Sequence, residues 1–124
     1  MHQQQVDDCI EACSSCRDEC QKMLFQHCLK MGGKHVEEKH VKLMADCIES
    51  CQTAASFMLR GSDNAVAMCG TCAEICESCA ESCEDLEGMA DCAATCRNCA
   101  KMCRSMTGGM GKTSRVSQGT SRAM

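Results

Sequence analysis

Proline, tryptophan and tyrosine are absent from the 124 residues, and Phe25 and Phe57 are the only aromatics. Without proline, no helix is interrupted from within. Leu, Ile, Val and Phe together number fifteen, a scarcity that by composition alone points toward disorder. No apolar run approaches membrane-spanning length. The formal net charge is −4, and an acidic chain with so few aromatics gives no footing for nucleic-acid binding. Residues 1–8 lack the charged start, apolar stretch and cleavage site of an export signal. The chain is therefore expected to be cytoplasmic, where thiols stay reduced.

Acidic side chains are missing from the last eighteen residues, which hold Lys112, Arg115 and Arg122. Positions 1–106 then carry 10 basic and 17 acidic side chains, a net −7. From Thr107 onward the composition turns to Gly, Ser and Thr. Two regions are expected: a domain over 1–106 and a flexible basic tail over 107–124.

What the chain does have is sulfur. It carries 16 Cys and 11 Met. A free thiol packs as a small hydrophobe, so Cys, Met and Ala can build a thin core. The Cys-x-Cys spacing of a strand never occurs. Steps of three and four dominate instead, and these mark one face of a helix. Four helices follow: about Gln4 to Met31, ended by Gly32-Gly33; Lys34 to Arg60, ended by Gly61; one capped by Ser62 or Asp63 and running to Glu84; and one from the Asp85–Gly88 turn to Met106. Short connections give an all-α, up-down-up-down four-helix bundle with a Cys-lined core.

At about 100° per residue, Cys9, Cys13, Cys16 and Cys20 share a stripe that Met23, His27 and Met31 continue, while Cys28 lies well to the side. The second helix aligns His40, Met44, Cys47, Cys51 and Met58. The third aligns Cys69, Cys72, Cys76, Cys79 and Cys83. The fourth aligns Met89, Cys92, Cys96, Cys99, Cys103 and Met106. Fifteen of the sixteen cysteines should face one axis. His2 and His35 read as solvated.

Soft thiolate and thioether ligands select Cu(I), Zn(II) or Fe–S clusters. Charge ranks them: one Cu(I) replacing one thiol proton leaves the site neutral, whereas a four-thiolate zinc site carries −2. Adjacent cysteines at three- and four-residue steps, such as Cys13–Cys16 or Cys47–Cys51, could each clamp a linear ion. Zinc buffering stays open, as does thiol redox or Fe–S duty, although the clustered Fe–S spacing and a βαβ context are lacking. Nothing defines a substrate, so no enzyme is expected.

The repeated Cys-x3-Cys and Cys-x2-Cys pairs, with "CIEAC" near the start and "CAKMCRSM" at the end, resemble the bacterial copper storage proteins over roughly residues 7–106. The resemblance, closest to the cytosolic branch, implies storage and detoxification of multiple Cu(I) ions per chain. It also implies a homotetramer of bundles and copper entry at a Met/His end; delivery of the copper by a small carrier is expected as well. Here that end would hold Met23, His27, Met31, His40, Met44, Cys83 and Met89, and it is expected to bind copper more weakly and exchange it faster.

Overall fold

In a computed structural model of the chain, residues 3–108 are described. Four long helices run α1 (Gln3–Met23), α2 (Glu38–Leu59), α3 (Ala65–Glu84) and α4 (Ala90–Met106). Each packs on its neighbours in the chain, and α1 closes the ring against α4. The core is Cys, Ala and Met rather than Leu and Ile. Ala54, Ala73, Ala80 and Ala100 are buried between the cysteine rows, and their small side chains let the helices approach. Ile10, Ile48, Phe57 and Ile75 are partly buried and pack against the outside of this core. On the α3–α4 face, the Arg104 guanidinium donates from Nε and Nη2 to the two carboxylate oxygens of Glu77, at 2.8 Å each. No helix among the described residues is long and apolar enough to cross a membrane.

The end of the first helix departs from the sequence reading. Leu24–Cys28 forms a π-helical segment, followed by a last α-turn, Leu29–Met31. The Leu29 N–H reaches the Leu24 carbonyl, five residues back. The cause lies in the spacing of the buried positions Cys16, Cys20, Leu24 and Cys28. Each step of four overshoots a helical turn by about 40°, so three steps in a regular α-helix drift by about 120°. The wider π turn takes up an extra residue and brings Cys28 back onto the axis. The same shift carries Met31 outward, to 45% exposed.

The remaining boundaries also shift. A 3₁₀ turn, Gly33–Val36, and an extended Glu37 delay α2 to Glu38. Helix α2 ends where expected. Gly61, at φ +66°, lets its own N–H bond the Met58 carbonyl and the Ser62 N–H bond the Phe57 carbonyl, which closes the helix in a Schellman cap. Ser62 does not cap α3 directly; its hydroxyl accepts the Asn64 N–H at 3.0 Å, and the helix starts at Ala65. Thr107 and Gly108 turn off the end of α4. The tail expected from residue 107 otherwise lies outside the described residues.

Candidate metal centre

All sixteen cysteines are free thiols, and each is fully shielded from solvent. The closest approaches between cysteine sulfurs run from 3.6 Å, as in Cys13–Cys103 and Cys20–Cys96, to 4.0 Å for Cys47–Cys96. None is a covalent bridge, which needs about 2.05 Å. Most of these contacts cross between helices. Cys72–Cys76, at 3.8 Å, joins two sulfurs of one helix. The expected pairs within one helix are joined by sulfurs from other helices: Cys16 with Cys20, and Cys99 with Cys103, share groups with cysteines across the axis.

Four groups have their sulfurs within 4.8 Å of one another: Cys9, Cys69, Cys103; Cys13, Cys72, Cys99, Cys103; Cys16, Cys51, Cys76, Cys99; and Cys16, Cys20, Cys47, Cys96. They are chained. Cys103 belongs to the first two, Cys99 joins the second to the third, and Cys16 joins the third to the fourth. Two metal–thiolate bonds of about 2.3 Å place the flanking sulfurs of a linear ion about 4.6 Å apart, so sulfurs that stand 3.6 to 4.0 Å apart must spread by up to about 1 Å to admit one. The shared sulfurs are placed as bridges.

Toward the end carrying the α1–α2 and α3–α4 connections, the donors change. The Met44 Sδ lies 3.4 Å from Cys79 and 3.7 Å from Cys83. Cys28 lies 3.8 Å from the Met89 Sδ and 3.5 Å from the His40 Nε2. The His40 Nδ1 is 2.8 Å from the Ser82 hydroxyl. With the Nδ1–H donated to Ser82, the Nε2 lone pair faces the Cys28 thiol. Desolvation holds the His40 imidazole below its ordinary pKa, which favours this neutral form. Burial pushes the Cys28 thiol up to about 11. Cys69, at the opposite end, rises to about 12: its Cys103 contact lowers it, and the Cys9 contact together with burial outweighs that. Cys28 and Cys69, near the two ends of the axis, are therefore held as thiols in the metal-free protein, and a metal must displace their protons.

A family model described as copper storage protein matches residues 2–108. The chain belongs to the copper storage protein family. Its fold matches a crystal structure of a Nitrosospira multiformis protein at a TM-score of 0.85 and 50% identity, covering 88% of this chain and 100% of that one. It also matches the Cu(I)-bound copper storage protein BsCsp3 at a TM-score of 0.76 and 32% identity, covering 83% and 98%. No curated protein matches the chain.

Within this family fold, the expected residues divide. All fifteen on-axis cysteines (Cys9, Cys13, Cys16, Cys20, Cys47, Cys51, Cys69, Cys72, Cys76, Cys79, Cys83, Cys92, Cys96, Cys99 and Cys103), with His40, Met44 and Met89, are buried in the core. Met23 only packs against its edge. Met31 points outward. The His27 Nε2 donates to the Glu87 carbonyl at 2.8 Å, so it ties the end of the bundle rather than continuing the sulfur row. Cys28 and His35 were placed wrongly by regular-helix geometry. Cys28 is buried on the axis, and His35 is 6% exposed, its Nε2 donating to the same Glu87 carbonyl at 2.8 Å. The run of four-residue steps from Cys16 to Cys28 was the signal available for Cys28. No pattern in the sequence marks His35, whose burial depends on a carbonyl 52 residues away.

Proposed function

We propose that the protein stores Cu(I) on the cysteines of its bundle axis, in the cytoplasm and without catalysis, loading from the end that holds Cys28, His40, Met44 and Met89. One observation carries this reading: of sixteen buried free thiols, twelve fall into linked groups that share members. Shared thiolates suit a monovalent ion, because each copper cancels one sulfur charge and each sulfur serves two coppers. The four linked groups contain twelve cysteines. Twelve Cu(I) ions leave them neutral. One divalent ion in each group leaves twelve thiolates against eight positive charges, or −4 in a desolvated core, which is costly.

The zinc reading retains one specific support. The 3.6–4.0 Å sulfur spacings within Cys16, Cys20, Cys47 and Cys96 lie close to the edge of a Zn–S₄ tetrahedron, about 3.8 Å for bonds of about 2.3 Å. The excess charge is what ranks it second. Delivery by a copper carrier and assembly of four bundles belong to the same proposal. Phe25, Leu29 and Leu59, at 57%, 56% and 71% exposed, supply apolar surface for such an assembly. Anaerobic Cu(I) titration followed by native mass spectrometry tests the storage reading. The expected capacity is on the order of 16 ions per chain, one per thiol. Saturation at one or two ions would refute it.

A further inference from the structure

The end of the bundle through which copper would enter is capped. The α1–α2 and α3–α4 connections meet there, and the Glu87 carbonyl accepts both the His27 and the His35 Nε2–H, at 2.8 Å each. The two rings pack edge to face with centroids 5.2 Å apart. Gly88 presses directly on this cap: a Cβ at that position would stand 2.6 Å from two atoms of the His27 ring. Axial passage therefore requires taking the cap apart.

A second way in lies beside it. A groove of about 980 Å³ runs between α2 and α3, and both His40 and Ser82 line it. The groove carries five carboxylates (Glu37, Glu38, Asp46, Glu81 and Asp85) against Lys34, Lys39 and Lys42, so its balance favours cations. At its wall the His40 ring spans from the Ser82 hydroxyl to the Cys28 sulfur. One ring thus borders the groove on one side and the first buried thiol on the other. An ion held between an imidazole nitrogen and a thiolate needs about 4.3 Å from N to S. The observed 3.5 Å falls short by less than 1 Å, a distance that a small ring movement supplies.

We propose that Cu(I) enters from the side, by ligand exchange from the α2–α3 groove through His40 to Cys28, and not along the capped axis. From Cys28 the ion passes by the same exchange to Met89 and the thiols beyond. At each step one copper–ligand bond forms as another breaks, the Cys28 proton leaving to solvent as its thiolate is metallated. This inference rests on the storage reading and specifies its route.

Stopped-flow mixing with the cationic Cu(I)–acetonitrile complex under anaerobic conditions, followed by the near-ultraviolet Cu(I)–thiolate absorption, tests it. Ser82→Phe, and Ser78→Phe one turn away on the same wall, fill the groove and should slow loading by about tenfold, as expected when a gate limits the rate. Final capacity should be unchanged. Gly88→Ala and His35→Ala, which loosen the cap, should leave the rate within about twofold. Circular dichroism identifies which variants are folded, and the two groove variants back each other up. Faster loading on loosening the cap, with no change on filling the groove, overturns the side route. A collapse of capacity in the unaltered protein strikes the storage reading instead, which keeps the two failures distinct.

Discussion

Proton release measures the charge argument directly. The perturbation is metal loading at pH 7 in weak buffer. Cys28, at about 11, is protonated at pH 7 in all but about one molecule in ten thousand, by the tenfold change of ratio per pH unit. A Cu(I) bound there must expel a whole proton. Extended to all sixteen thiols, loading should release about 16 protons per chain at a constant slope of about one per ion. A 10 µM solution would then yield roughly 160 µM protons, readily followed with a pH indicator or by calorimetry in two buffers of different ionisation enthalpy. Zinc gives a different slope. Four divalent ions shared among the twelve grouped cysteines displace about three protons each. A Cu(I) slope near zero, or at two and above, would refute the reasoning: the thiols would either be already ionised or be bound without sharing.

Three further outcomes are expected. The apo protein should lose stability as the solution moves away from neutral in either direction. His40, held below its ordinary 6.5 by desolvation, contributes stability that is present above that value and lost as the pH falls through it, because the unfolded chain takes up the proton first. Cys28, raised from 9.0 to about 11, contributes stability that is lost as the pH rises between those values; thermal melts across pH 5–11 check both limbs, and His40→Phe should flatten the acid one. Ala80→Leu forces a larger side chain between the cysteine rows and should destabilise the apo bundle by about 1–3 kcal/mol, read from denaturant midpoints. Cys28→Ser should lower capacity by one ion and slow uptake, while Met31→Ala, on an outward-facing side chain, should change neither; mass spectrometry and stopped-flow absorption distinguish them.

How far the sequence could be read depends on where its helices are regular. Along α2, α3 and α4 the three-and-four steps met no irregularity, so Cys47 to Cys51, Cys69 to Cys83 and Cys92 to Cys103 all occupy the axis as their spacing implies. The same held for Cys9 to Cys20. Beyond Cys20 a constant 100° per residue ceases to apply, and one π turn exchanges the roles of neighbours. Cys28 gains the axis, Met31 loses it, and His27 is left tied to Glu87. The partners at the capped end are set by tertiary contacts between residues 27–37 and 85–89, which no local pattern encodes. Spacing along a helix shows which face a sulfur shares, while the distance across the axis depends on the small Ala side chains packed between the rows.

The donor types along the axis give the store a direction. At the end formed by Cys9, Cys69 and Cys103, three thiols lie within 4.8 Å of one another, so a copper there exchanges for a proton and can be held by two charged sulfurs. Toward Cys28, donors that carry no charge intervene: the thioethers of Met44 and Met89 and the neutral imidazole of His40. A copper held there by one thiolate and one neutral donor is still charge-balanced, but its second bond lacks the ionic component that two thiolates provide. Binding at this end should therefore be weaker and exchange faster, whereas copper that has moved inward meets the linked thiolate groups. Filling then proceeds from the thiolate end backward, and the ions nearest His40 are the last to settle and the first to leave. A competing chelator added to a fully loaded bundle should accordingly remove a small fast fraction before a slow majority, and Met44→Cys should shrink the fast fraction by converting a neutral donor into a charged one. Uniform release from the whole axis would contradict this gradient.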